Sequence, residues 1–227
     1  MSKENIVVFS GAGISAESGL STFRDSGGLW NNFSVYEVAT PEGWAANPER
    51  VLDFYNQRRR KVAEAEPNAA HLAIARLEET FDVTVVTQNV DNLHERAGSS
   101  NIIHVHGEIT KARSSVDPTI VTEIGSKDIH LGDTCELGSQ LRPHIVWFGE
   151  SVHYTEESAA IMEQADKVLV IGTSLSVYPA AGLVDYCRAT TEKVLVALEI
   201  DHLPDGFLFH EGKATEYVPQ IVDKWMS

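Results

Sequence analysis

The sequence predicts an α/β protein, built on a doubly wound parallel sheet with a small lobe formed by two insertions. Three observations carry this reading. Short apolar runs rich in Val and Ile alternate with helix-length stretches, the rhythm of strands covered on both faces by crossover helices. The first run ends in a glycine turn, Ser10-Gly11-Ala12-Gly13, the place where such sheets meet phosphate groups. Two polar stretches, 25–47 and 108–142, break the alternation and read as excursions from the sheet.

In chain order, residues 5–10 (NIVVFS), 82–87 (DVTVVT), 102–106, 145–148, 167–172 (KVLVIG) and 193–200 (KVLVALEI) read as strands. Helices are expected over 48–64, 68–79, 156–165, 179–188 and 218–225. In the first of these, Val51, Phe54, Tyr55, Arg58 and Val62 recur at helical spacing.

The chain has 227 residues, 43% hydrophobic and 22% charged. It is long enough to bury a core without a disulfide or metal staple, and its composition is that of a globular protein. Lys plus Arg is 18 and Asp plus Glu is 33, so the net charge is 18 − 33 = −15. Such a surface repels nucleic-acid backbones and anionic lipids, so neither is an expected partner. Lysine-rich protein segments would be attracted instead. The two cysteines, Cys135 and Cys187, form neither a disulfide framework nor a CxxC pair. No apolar run approaches the ~20 residues of a membrane span, and the polar start carries no signal-peptide pattern. The expectation is a monomeric, cytoplasmic protein.

The glycine turn continues to Ala16, which satisfies the G-x-G-x-x-G/A spacing of a dinucleotide site. A tight strand–helix turn without a ligand is the open alternative. Phe23 and Arg24 follow in a polar loop. The guanidinium suits a phosphate and the ring suits a planar group; a surface loop with one buried Phe is the alternative.

Five segments then occur in a fixed order: GAGISAESGLSTFRDSGGLW (11–30), TQNVDNLHERAG (87–98), HVHGE (104–108), PHIVWFGE (143–150) and IGTSLSVYPAA (171–181). Together they resemble the sirtuins, NAD-dependent protein lysine deacylases, over nearly the whole chain. The resemblance implies a Rossmann-type large domain, over about 1–25, 68–107 and 143–227, and a small lobe over about 26–67 and 108–142. It implies NAD as cofactor and acyl-lysine proteins or peptides as partners. The implied reaction yields free lysine, nicotinamide and O-acyl-ADP-ribose.

By the same resemblance, His106 is the catalytic base, a role its near-neutral pKa suits. His104 would share its face if both lay on one strand, and is read as structural. Asn89 would order the ribose and water, and Asp91, an acceptor, would take the carboxamide NH₂ of nicotinamide. Gly11, Ala12, Gly13, Ser15, Phe23, Arg24, Trp30, Gln88 and Val90 would line the cofactor. Gly172, Thr173 and Ser174 would meet the adenosine ribose, with Ala214 at the adenine and Asp201 a further candidate. One of the polar residues near Asn92 would also cap a helix. Val146, Trp147, Phe148 and Gly149 match the segment that pairs with a substrate peptide by strand addition.

Tyr55 and Arg58 lie three apart on one helical face. A phenol and a guanidinium together make a carboxylate receptor, and this YxxR pattern resembles sirtuins that remove succinyl, malonyl or glutaryl groups, with deacetylation alongside. A solvated basic patch extended by Arg59 and Arg60 is the competing reading.

The chain departs from the family at the zinc cysteines. Ser114 stands where the first is expected, and only Cys135 remains near the second pair. His130, Asp133 and Cys135 lack a fourth ligand, so no metal is expected. The lobe would rest on packing and hydrogen bonds, with Ile120, Val121, Ile124, Ile129 and Leu131 as candidates for its small core. Two other functions stay open: a sirtuin-like protein ADP-ribosyltransferase, and a non-catalytic NAD-binding scaffold. A plain dehydrogenase lacks its second substrate domain.

Overall fold

A computed structural model describes residues 3–22, 29–30 and 33–227, with Leu29–Trp30 as backbone alone. The strands are β1 (Asn5–Ser10), β2 (Leu29–Trp30), β3 (Phe33–Ser34), β4 (Asp82–Thr87), β5 (Ile102–His104), β6 (Gly107–Ser114), β7 (Val121–Glu123), β8 (Leu141–Ile145), β9 (Lys167–Ile171), β10 (Glu192–Ala197) and β11 (Leu208–Glu211). The helices are α1 (Gly13–Ala16), α2 (Val35–Val38), α3 (Pro41–Ala46), α4 (Pro48–Glu64), α5 (Ala69–Arg76), α6 (Leu93–Ala97), α7 (Thr155–Gln164) and α8 (Ala214–Met226), with 3₁₀ turns over Leu77–Glu79 and Ala180–Tyr186.

Six parallel strands form the main sheet in the order β11-β10-β9-β1-β4-β5. Read from β5 and counted along the chain within this sheet, that is 3-2-1-4-5-6, the doubly wound order in which the winding reverses beside the first strand. Period-two alternation feeds both faces. Ile6 and Val8 join Ile74, Leu77 and Val218 in one buried cluster. Val7 and Phe9 join Met162, Leu183 and Leu195 in the other. A three-stranded antiparallel sheet, β7-β6-β8, stands apart. Between it and the main sheet α4 buries Val51, Phe54, Tyr55 and Val62 together with Ile109, Ile145 and Trp147.

α4 begins as its sequence dictates: the Asn47 side chain accepts the Arg50 N–H at 3.0 Å and Pro48 occupies the first turn. Four expectations are corrected. The strand expected over 102–106 stops at His104, because Gly107 takes a left-handed φ of +82° and turns the chain into β6. His104 and His106 therefore do not share a strand face. The run 145–148 is not a strand: β8 ends at Ile145, and Trp147 is tied instead to Glu150. The stretch over 179–188 forms a 3₁₀ helix at Ala180–Tyr186 rather than an α-helix. Finally, α8 starts at Ala214, because it absorbs Pro219 within the helix.

The core proposed for the small lobe is also corrected. Ile129 is buried, but Val121 and Leu131 are 39% and 52% exposed. The expected hydrogen bonds are there, joined by ion pairs. Arg113 and Arg142, both buried, converge on Glu150 at 2.7–3.1 Å. Asn56 on α4 bonds the main chain of Ile129 in both directions, at 2.9 and 3.0 Å. Ser139 hydrogen-bonds Ser114 at 2.8 Å and Cys135 at 3.1 Å.

Candidate active site

The turn after β1 packs on the turn after β9. Gly13 N–H donates to the Gly172 carbonyl at 2.8 Å, and a Cβ on Gly13 would lie 2.7 Å from the Gly172 Cα. Close approach of two backbones, rather than flexibility, requires glycine here. The turn after β4 completes one rim: Gln88 Nε2 donates to Thr173 Oγ1 at 3.3 Å, and Asn89 Nδ2 to Ser15 Oγ at 3.2 Å. Gly11–Gly13, Gln88–Asp91 and Gly172–Ser174 thus gather at the C-terminal ends of β1, β4 and β9, beside the reversal of winding, where open sheets bind ligands.

Asp91 is buried, and its Oδ1 accepts the Leu93 N–H at 3.2 Å, a local turn just before α6, whose N-cap residue, Asn92, makes no side-chain capping bond. Burial raises its carboxyl pKa, against the Leu93 N–H, the Ser15 hydroxyl and positive charge at His104. His106 occupies the turn between β5 and β6. Its Nδ1 meets the Gln88 carbonyl at 3.1 Å, so Nδ1 carries the hydrogen and Nε2 the lone pair. Burial lowers its pKa, opposed by the bond to Gln88. The lowered pKa favours the neutral imidazole.

Tyr55 and Arg58 reach the same region from α4. The Trp147 indole N–H donates to the Tyr55 hydroxyl at 3.0 Å. Burial pushes the phenol up to about 12 and lowers Arg58 to about 10. Arg58 interacts electrostatically with both Tyr55 and Asp91. The basic-patch reading fails at Arg59, which is 1% exposed. Its Nε donates to the Ile109 carbonyl at 2.7 Å and its Nη1 to Asn56 Oδ1 at 2.7 Å, fastening α4 to β6.

Other expected residues are less simply placed. Phe23 and Arg24 lie outside the described residues, as does the Trp30 side chain. Val90 packs at the edge of the α4 cluster, and its carbonyl accepts the Ile109 N–H. Ser174 Oγ pairs with Ser176 Oγ at 2.8 Å. Ala214 is buried in the same cluster as Ile14, so its methyl packs inward. The N–H groups of Val146, Trp147 and Phe148 are bonded to the His106 carbonyl, Glu150 and the Ala39 carbonyl. His130, Asp133 and Cys135 do not converge: among the described residues the one group of three such ligand types is Glu95, His104 and Glu108. Two features escaped the sequence reading. Ser10 Oγ bonds Thr87 Oγ1 at 2.8 Å and His94 Nε2 at 2.9 Å in a buried chain beneath the site. His104 bonds both Asn89 and Glu95. Neither has a local sequence signal.

Residues 11–179 match the Sir2 family. The chain belongs to the Sir2 family. A Helicobacter pylori NAD-dependent protein deacylase is 56% identical over 225 residues, covering 97% of each chain. A solved Sir2 homologue in complex with NAD superposes at a TM-score of 0.85 with 37% identity, covering 99% of this chain and 91% of that one. A Sir2 variant solved with a deacetylated p53 peptide and 3′-O-acetyl ADP-ribose superposes at 0.82 with 28% identity, covering 98% and 94%. The doubly wound sheet of this Sir2 chain and its separate antiparallel sheet are the architecture these relatives share.

Proposed function

We propose that the chain is an NAD-dependent protein lysine deacylase with a preference for acidic acyl groups such as succinyl and malonyl, and with deacetylation retained. The observation that carries the reading is the His106–Gln88 bond, which leaves a neutral imidazole with its Nε2 lone pair beside the Asn89–Asp91 turn. The chemistry of the donor set fits NAD. A glycine turn too tight for any Cβ, a buried acceptor carboxylate and hydroxyls of Ser15 and Thr173 line one rim. That rim suits a pyrophosphate, a carboxamide and ribose hydroxyls in turn.

Bound NAD would supply a ribose carbon that becomes electrophilic as nicotinamide leaves. Asp91 would accept from the carboxamide and orient it. Asn89, steadied by Ser15, would present its amide to the ribose. His106 would take the proton of a ribose hydroxyl at Nε2, with its Nδ1–H fixed on Gln88. The acyl-lysine would enter across the turn at 146–149, where the carbonyls of Val146 and Phe148 and the Gly149 backbone would meet the peptide, since the three preceding N–H groups are committed. Arg58 and the O–H of Tyr55 would receive an acyl carboxylate, a pairing that gains from burial of the guanidinium. The surface charge of −15 favours lysine-rich partners.

The test is nicotinamide release with acetyl-, succinyl-, malonyl- and glutaryl-lysine peptides, for wild type and His106→Ala. Acyl-dependent release that the variant loses supports the reading. Transfer of ADP-ribose to protein without deacylation, or equal slow release by both proteins, overturns it.

A further inference from the structure

His104 sits two residues before the proposed base, yet its ring faces elsewhere. Its Nδ1 lies 2.9 Å from the carbonyl oxygen of Asn89, and its Nε2 lies 2.7 Å from Glu95 Oε1. A carbonyl and a carboxylate are both acceptors. Both ring nitrogens must therefore carry hydrogen, which makes the ring an imidazolium. Next door, His106 Nδ1 donates to the preceding carbonyl, that of Gln88. Two histidines thus hold successive peptide planes of the turn that carries Gln88, Asn89 and Asp91.

We infer that His104, kept doubly protonated by Glu95, is a positioning residue that clamps the Asn89 carbonyl and sets the Gln88–Asp91 turn for NAD. The surroundings agree. From α6 the ring faces Glu95 and the neutral His94; from β6 it faces Glu108, whose charge Lys111 shares through a 2.5 Å bond; and in the turn it acts on Asp91. Glu95, His104 and Glu108 bring their ligand atoms within 4.8 Å of one another, two carboxylates about one cation. Burial opposes charge on His104, but the hydrogen bond and charge of Glu95 override it and raise the pKa above the ordinary 6.5; Glu95 is lowered, against its own burial. Positive charge here also favours the ionised form of Asp91. A pKa raised by folding means that the clamp is complete at low pH and is lost as pH rises through the folded value.

The inference rests on the deacylase reading for its kinetic consequence but not for its central observation. Histidine-selective ¹H–¹⁵N spectra of the wild-type protein at pH 6.5, where a ring raised above its ordinary value is mostly protonated, assigned with His104→Gln, read the ring directly. Two ring N–H groups on His104 support the clamp; a single N–H on a neutral ring overturns it. That readout needs no turnover, so it survives failure of the proposed activity. Steady-state kinetics supply the second arm. His104→Gln is expected to lower kcat/KM for NAD roughly 10- to 100-fold, mostly through KM, and to abolish a decline of wild-type activity on the alkaline side. Glu95→Gln shifts that decline to lower pH, and Glu95→Asp partly restores it. Folded variants with wild-type NAD kinetics across the pH range overturn the positioning role.

Discussion

Trp147 donates its indole N–H to the hydroxyl of Tyr55 at 3.0 Å, and both side chains are almost wholly buried. The bond occupies a lone pair of the phenol oxygen and leaves the O–H hydrogen to be given elsewhere. Beside it, the Arg58 guanidinium is a fixed cation. If this pair receives an acyl carboxylate, Tyr55→Phe and Arg58→Met should each lower kcat/KM for succinyl-lysine peptides about 10- to 100-fold, the range expected for a lost charge-assisted bond. Acetyl-lysine activity should change only a few-fold. Parallel loss of both activities would remove the acyl pocket from α4.

His106 makes a second prediction. Removing a general base costs on the order of 10²- to 10⁴-fold in kcat, so His106→Ala should lose acyl-dependent turnover by that factor. Burial holds the imidazole pKa below its ordinary 6.5. If His106 is the base, the acid limb of kcat/KM should therefore lie below pH 6.5, with neutral pH leaving it competent. An acid limb centred above 6.5 would assign the proton transfer to another group.

Stability should depend on pH through histidines buried as neutral rings. His71 accepts the Asn68 N–H at Nδ1, meets the His94 ring edge to face at 5.0 Å and is lowered by burial to about 4. His94 is lowered further by burial and by its two histidine neighbours. These groups bind protons more readily in the unfolded chain. Their contribution is intact above pH 6.5 and is lost as pH falls toward 4. For His71 alone the loss is on the order of 3 kcal/mol. Urea titrations at pH 7.5, 6 and 5 should show a steep fall in stability that His71→Gln makes shallower. A flat profile in wild type would contradict the buried, neutral pair.

The small lobe gives the fourth prediction. Glu150 neutralises two buried guanidiniums at once, and breaking a buried pair strands its partners. Glu150→Gln should cost about 3–5 kcal/mol, read as a lowered urea midpoint. If the lobe rests on these ion pairs and on the Ser114–Ser139–Cys135 hydrogen bonds, incubation with EDTA should leave Tm unchanged. A chelator-dependent fall in Tm would mean that a metal carries the lobe.

Much of this was legible before any coordinates. The runs at 5–10 and 82–87 and the helix at 48–64 could be read because their apolar periods are long and their ends carry strong signals, such as Asn47-Pro48. β11 went unread because Leu208-Phe209-His210-Glu211 is short and half polar, as an edge strand can be. β6 and most of its pairing with β8 went unread because the polarity of the stretch 108–142 masked them: among the residues they bury are two charged ones, Arg113 and Arg142. Arg59 looked like surface beside Arg60, and only the main-chain oxygen of Ile109, fifty residues away, explains its burial. The glycine turn and the His-Gly step were visible because backbone approach demands particular residues at fixed spacing. The His104–Glu95 bond was not, since nothing local links a strand residue to a helix nine positions earlier.

Glu150 also touches the rim where a peptide would enter. The carboxylate that joins β6 to β8 accepts the Trp147 N–H as well, while Phe148 is fastened to Ala39. The rim and the antiparallel sheet are therefore one mechanical piece. A displacement of that sheet would thus be passed on to the rim through a single carboxylate.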